Sequence, residues 1–232
     1  MRFTNIQALI LSSGITLSGF FIAYALQDSR SYRRHVQVKG LSERIVKADQ
    51  AIWSIQFRYA SDELSQLYQG VAKAQSDIKN FLLDLNIDSK EISVNPISVS
   101  DNQNNSYNSN QLAKRFSANG GITIATSDVN KISSSIQKTG DLVKDGVIVT
   151  SSNVQYRFTS LNQIKPEMLN EATVNAKKSA MSFAVNANAK LGSIQSARQG
   201  IFSINDANSE YNSGATIMKK VRIVTTISFY LH

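Results

Sequence analysis

Apolar residues recur along this chain at two spacings, and the switches between them mark its elements. From Phe3 to Gln27 there is no charged residue, and the apolar heart runs from Ile6 to Leu26. That length suffices to cross a hydrocarbon core of roughly 30 Å as one helix, and Gly14 and Gly19 are tolerated there. Residues 28–34 are polar and read as a tether. A strand is predicted at His35–Lys39, followed by Gly40. Over residues 44–60, Trp53, Ile55, Phe57 and Tyr59 alternate with polar neighbours, the period of a second strand. Ser61 is placed to cap a helix carrying Leu64, Leu67, Tyr68, Val71, Ala74, Ile78, Phe81, Leu82 and Leu85 at spacings of three and four.

The alternation resumes from Glu91 to Ser100 and slips phase at Pro96, which predicts a bulge or an edge. Residues 101–110 are polar and read as a loop. A strand is expected over 112–126 with a kink at Gly120-Gly121. A short helix capped by Ser127 follows, with Val129, Ile132 and Ile136 inward and Gly140 at its end. After the Asp145-Gly146 turn comes a strand ending in Val154, Tyr156 and Phe158. Pro166 sits near the start of a long helix with Leu169, Ala172, Ala176, Ala180, Phe183, Ala184, Ala187 and Leu191 on its seam, ended by Gly192. Strands over 193–204 and 216–231 then form a hairpin about the polar turn Asn205–Gly214. In the last strand Val221, Ile223, Thr225, Ile227, Phe229 and Leu231 share one face.

This order predicts an α+β fold: largely antiparallel sheet, with two long helices and one short helix on one face, preceded by a single transmembrane helix. The expected domains are an anchor over 1–27, the tether over 28–34 and the α+β domain over 35–232. Two readings compete for the first segment. Ala23-Tyr24-Ala25 weakly matches a signal-peptidase site. The long apolar stretch and bulky Phe20, Phe21 and Ile22 favour an uncleaved anchor, so the lipid bilayer is an expected partner through residues 6–26.

An internal echo is visible. Residues 55–61 (IQFRYAS) resemble residues 154–160 (VQYRFTS) at an offset of 99, and each run leads into a long helix and a strand pair. The arginines of the echo, Arg58 and Arg157, are solvated cations on a sheet face, or else a matched pair that contacts an anion or a neighbouring subunit.

Composition narrows the function. With 11 Gly, 2 Pro and no Cys in 232 residues, the chain is neither collagenous nor a disulfide scaffold, and it has no thiolate ligand or nucleophile. Only His35 and His232 are available for imidazole chemistry. The net charge is +8; of the 25 cations and 17 acids, four cations and one acid precede His35, leaving +5 on the remainder. Those cations are scattered, with doublets such as Lys114-Arg115, Lys177-Lys178 and Lys219-Lys220. They read as a solvated basic surface, with no nucleic-acid partner. No nucleophile elbow, phosphate loop, EF-hand or zincin motif is present. No catalytic residue, metal ligand or cofactor site is assigned, and the chain is expected to be no enzyme.

The run Val36-Gln37-Val38-Lys39-Gly40-Leu41-Ser42-Glu43-Arg44, continued by Val46-Lys47-Ala48-Asp49-Gln50-Ala51-Ile52-Trp53, resembles the opening of the SIMPL-domain family of bacterial envelope proteins. The Ala-rich helix closing on Leu191-Gly192 and the final strand pair fit as well, so the resemblance covers residues 35–232. Ser42 departs from it, since many members have a second Gly there. The resemblance implies an extracytoplasmic α+β domain, large ring-like homo-oligomers, an association with envelope and oxidative stress, and no known catalysis. It also bears on orientation. Arg30, Arg33, Arg34 and Lys39 follow the span while only Arg2 precedes it, a balance that by itself keeps the domain in the cytoplasm. The family implies the opposite: a single-pass protein of the inner membrane with its C-terminal domain in the periplasm. Two functions follow as expectations. One is a self-associating envelope protein; the alternative is a tethered binding module for a periplasmic ligand or an envelope-protein partner.

Overall fold

The computed structural model describes residues 5–31, 34–104, 114–209 and 213–232. Residues 105–113, which hold most of the expected loop and the start of the next strand, lie outside them. The elements in chain order are α1 (Asn5–Ser31), β1 (His35–Lys47), β2 (Gln50–Ser61), α2 (Leu64–Asp84), β3 (Ile92–Val94), β4 (Ser98–Asp101), β5 (Phe116–Thr126), α3 (Val129–Ser135), α4 (Gly140–Lys144), β6 (Ile148–Arg157), α5 (Leu161–Asn186), β7 (Leu191–Gln199), β8 (Ser203–Asp206) and β9 (Met218–Leu231). Short 3₁₀ turns stand at Ser89–Glu91, Asn102–Asn104 and Ile136–Thr139. The fold is α+β with antiparallel pairing, as the alternation predicts. Among the described residues no helix is long and apolar enough to cross a membrane. The side chains described in α1 are Ile10 and residues 12–24, a run shorter than a span needs. The helix itself continues to Ser31, through the first half of the expected tether.

The chain divides into two compact units. One comprises residues 44–161 and 204–221 and contains a five-stranded sheet ordered β3-β5-β2-β6, with β4 also paired to β5. Alternation in β2 buries Trp53, Ile55 and Phe57 against Ile122 and Ile124 of β5, Val154 of β6, and the stripe Leu67, Val71, Ala74, Ile78, Leu82 of α2. Trp53 donates its indole N–H to Ser152 Oγ at 2.9 Å, so the largest core side chain leaves no polar atom stranded. Leu64 and Tyr68, expected on the stripe, are instead exposed, because the buried face is narrower than the apolar one.

Gly120 does not kink its strand. The β2–β5 ladder runs unbroken from Ala51↔Thr126 to Ser61↔Phe116. A Cβ at Gly120 would lie 2.5 Å from the Phe57 ring, so the residue is needed for room. The phase slip at Pro96 is real. Ile92 pairs with Ile124 and Ser98 with Asn119, so five residues between them stand opposite four, the signature of one extra residue.

Helix ends differ from expectation in instructive ways. Ser61 does not cap α2; Glu63 holds that position, and Ser61 Oγ accepts from the Glu63 N–H at 3.2 Å, turning the chain ahead of the helix. Asp128, not Ser127, caps α3 by accepting from Lys131 N–H. Gly140 opens α4 rather than closing a helix, so two short helices stand where one was expected.

The other unit comprises residues 1–43, 162–203 and 222–232. A second, four-stranded sheet has the order β1-β9-β7, with β8 also paired to β9. β7 and β8 are thus two strands on one partner rather than one arm of a hairpin. Met168, Ala172, Ala176, Ala180 and Ala184 form the buried seam of α5, and Ala176 and Ala180 pack with Val38, Ile227 and Phe229. Phe183 and Ala187 fall outside that seam. Gly40 does not end β1. A Cβ there would lie 1.8 Å from the Ala172 carbonyl oxygen, so glycine lets the strand backbone touch the helix backbone. α5 begins at Leu161, which leaves Pro166 inside the helix. It ends before Gly192, at Asn186; Asn188 adopts φ 51°, and Ala189 N–H bonds the Ala184 carbonyl. α2 ends the same way, with Asn86 at φ 60° and Ile87 N–H on the Leu82 carbonyl.

The echo has a topological counterpart. α2, β3, β4, β5 and α5, β7, β8, β9 follow one order, and in each the two short strands pair with the long last one. The repeats differ at the strand before the helix. β2 pairs with β5, whereas β6 pairs with β2 and the place beside β9 is taken by β1.

Candidate functional site

Acid–base and metal chemistry find few parts here. Among the described residues no group of three His, Asp or Glu side chains is placed to hold a metal ion. His35 and His232 do come together, lining a hollow of about 370 Å³ with Arg34, Ala187, Ala189 and Leu231. The hollow stands beside the C-terminal end of α5.

The most unusual charge is buried. Lys219 is 0% and Asp206 1% exposed, and they form an ion pair through Nζ and Oδ1. Asp206 Oδ2 accepts from the Ser213 hydroxyl and from its N–H at 3.1 Å. Burial alone would raise the Asp206 carboxyl. Hydrogen bonds from Lys219, Ser213 and Thr216, with the Lys219 charge, outweigh it and hold the group well below the usual carboxylate range. A fully satisfied pair of this kind pins a loop; it has no open face for a substrate. The doublet Lys219-Lys220 reads from sequence as solvated. The signal against that reading is phase, because Lys219 falls on the same side of β9 as Val221 and Ile223.

Arg58 and Arg157 are not brought together. Arg58 pairs with Ile148 and Arg157 with Gln50, at opposite ends of the β2–β6 ladder, about 25 Å apart. Arg157 donates to Gln155 Oε1 at 3.1 Å. Arg58 opens instead onto a small hollow of about 160 Å³ with Tyr59, Lys73, Asp77 and Asp145 among its lining. Its floor is set by Gly70, where a Cβ would lie 2.2 Å from the Tyr59 ring. A neighbouring hollow of about 320 Å³ shares Lys73, Asp77 and Asp145 and adds Asn80, Phe81 and Asp84.

Sheet edges also face possible partners, those of β7 and β6 among them. β7 ends its sheet, and residues 193–199 are exposed, with Ile194 at 50%. Arg198 is its one charge. β6 ends the other sheet; near its C-terminus Tyr156 N–H is taken by the Gly214 carbonyl at 2.7 Å.

Antiparallel sheets with helices packed upon them define an α+β domain. Residues 36–225 match the model of the SIMPL family, a protein of unknown function (DUF541), and the chain belongs to that family. No curated protein sequence matches it.

Proposed function

We propose that this is a membrane-anchored, extracytoplasmic, non-enzymatic SIMPL-domain protein that self-associates into a homo-oligomer with a structural, stress-related role in the cell envelope. The observation that carries the reading is the N-terminal segment. It is uncharged from Phe3 to Gln27, helical from Asn5 to Ser31, and every side chain described in it is exposed, Phe20 and Phe21 included. The uncharged run, taken over its whole sequence, has the length that a single helix needs to cross a bilayer. Apolar side chains in that number on a helix without protein cover are stable in lipid and costly in water. The open edges of β6 and β7 support self-association, since unpaired strand edges are templates for pairing.

Native mass of the full-length protein in mild detergent tests the assembly. A discrete multi-subunit mass is expected, and a monomer mass at all concentrations overturns it. Placement is tested by reporters fused after His232. An active periplasmic reporter is expected; an active cytoplasmic one places the domain on the other side.

A further inference from the structure

The two hollows beside Arg58 form one continuous groove, because Lys73, Asp77 and Asp145 line both. One wall is a single face of α2. Gly70, Lys73, Asp77, Asn80, Phe81 and Asp84 recur there at spacings of three and four, beside the buried stripe rather than on it. The opposite wall is the Asp145–Ile148 turn, where Gly146 takes φ 84°. Charge is sorted along the groove. Arg58 and Lys73 stand at the end closed by Tyr59, and Asp84 stands at the other, with Asp77 and Asp145 between.

None of Arg58, Lys73, Asp77 and Asp84 has a side-chain hydrogen bond or ion pair among the described residues. Elsewhere in this unit Lys114 pairs with Asp62 and Lys144 with Asp141. Four charges of both signs facing one groove without neutralising one another present complementary ends to a ligand. Arg58 supplies a planar fork suited to a carboxylate, with the Lys73 ammonium beside it. The acids suit an ammonium. Lys73 and Asp77 are separated by about 6 Å of helix rise, and Lys73 and Asp84 by about 16 Å.

We propose that this groove binds a small zwitterion whose two charges stand about one helix turn apart, an ω-amino acid or short peptide, with its carboxylate at Arg58 and Lys73 and its ammonium at Asp77. The site is independent of the anchor, since every residue in it belongs to the compact unit that excludes the N-terminal helix.

The probe is 6-aminohexanoate, whose charges lie little more than one helix turn apart, titrated calorimetrically into the full-length protein in detergent. Hexanoate and hexylamine serve as probes lacking one charge each. The zwitterion is expected to bind at least about tenfold more tightly than either. Arg58→Gln weakens the zwitterion and hexanoate and leaves hexylamine unchanged. Asp77→Asn weakens the zwitterion and hexylamine and leaves hexanoate unchanged. Both positions lie outside the hydrophobic core, and an unchanged thermal midpoint verifies each variant's fold. Absence of saturable binding, equal binding of all three probes, or indifference to both substitutions overturns the proposal.

Discussion

Asp206 and Lys219 show what a single buried charge asks of its surroundings. Removing one partner strands the other in a place where water cannot reach it. Lys219→Met is therefore expected to destabilise the protein by about 3–5 kcal/mol in chemical denaturation. The double variant Lys219→Met with Asp206→Asn should recover part of that loss; a double variant as unstable as the sum would show that the charges were not coupled. Thr225 is the opposite case. Its hydroxyl is buried and has no partner among the described residues. Thr225→Val is expected to leave stability unchanged or raise it by up to about 1 kcal/mol, and a loss above that size would reveal an unseen partner.

Asp49 acts where the chain enters α5, accepting from Thr159 N–H at 2.7 Å and Ser160 N–H at 2.8 Å. Burial raises its carboxyl, but bonds from Ser160 and Thr159 outweigh that and leave it below the usual carboxylate value. Its folded value being the lower, its contribution is present above the unfolded value and fades as the pH falls through the folded one. Asp49→Asn should thus lower the thermal midpoint at pH 7 and shrink its fall between neutral pH and pH 3. Phase could reveal Lys219 as buried, yet nothing in the sequence could pair it with Asp206, because the two stand thirteen positions apart. Asp49 was equally silent, since its partners lie 110 positions away.

At the scale of elements, the strands and long helices were legible because their apolar period is long and consistent. Glycine was the misleading residue. It signals an end when read as a source of backbone freedom, but at Gly40 and Gly120 it supplies space. The sequence cannot distinguish the two uses, since both depend on what packs opposite. The distinction is measurable. Gly40→Ala forces a Cβ against the Ala172 carbonyl oxygen and the Ala176 backbone, and should cost about 1–3 kcal/mol. Gly140 has helical dihedrals, φ −60° and ψ −22°, and nothing within 4 Å of an added Cβ. Gly140→Ala should therefore stabilise by about 0.4–1 kcal/mol. Equal effects at the two sites would mean that α5 does not lie on β1 as closely as described. The candidate groove escaped sequence reading for a related reason. Arg58 was visible in the echo, but Lys73, Asp77 and Asp84 look like the solvated side of an amphipathic helix until the Asp145 turn is seen opposite them.

At the scale of the whole molecule, self-association by strand addition would use an edge, and β7 is better fitted than β6. It carries one charge in nine residues, and the Ile194 side chain is half exposed. The following Ile201 is 93% exposed, which is costly for an isoleucine that nothing covers. Soluble proteins commonly protect such edges with lysine, and its absence leaves pairing open. Ile194→Lys supplies that protection. In a protomer the site is at the surface, so the substitution should move stability by no more than about 0.5 kcal/mol. In an assembly built through β7 it places an ammonium in a strand-strand contact, so the native mass in detergent should fall toward that of a protomer while the thermal midpoint at high dilution holds. The same lysine at Ile148, at the start of β6, serves as the comparison on the edge of the other sheet. An Ile194→Lys protein that keeps its full assembly mass, beside an Ile148→Lys protein that loses it, would transfer the interface from β7 to β6. If both keep it, pairing through β7 and β6 is ruled out and the subunits meet through another edge, that of β1 or β3, or through helices.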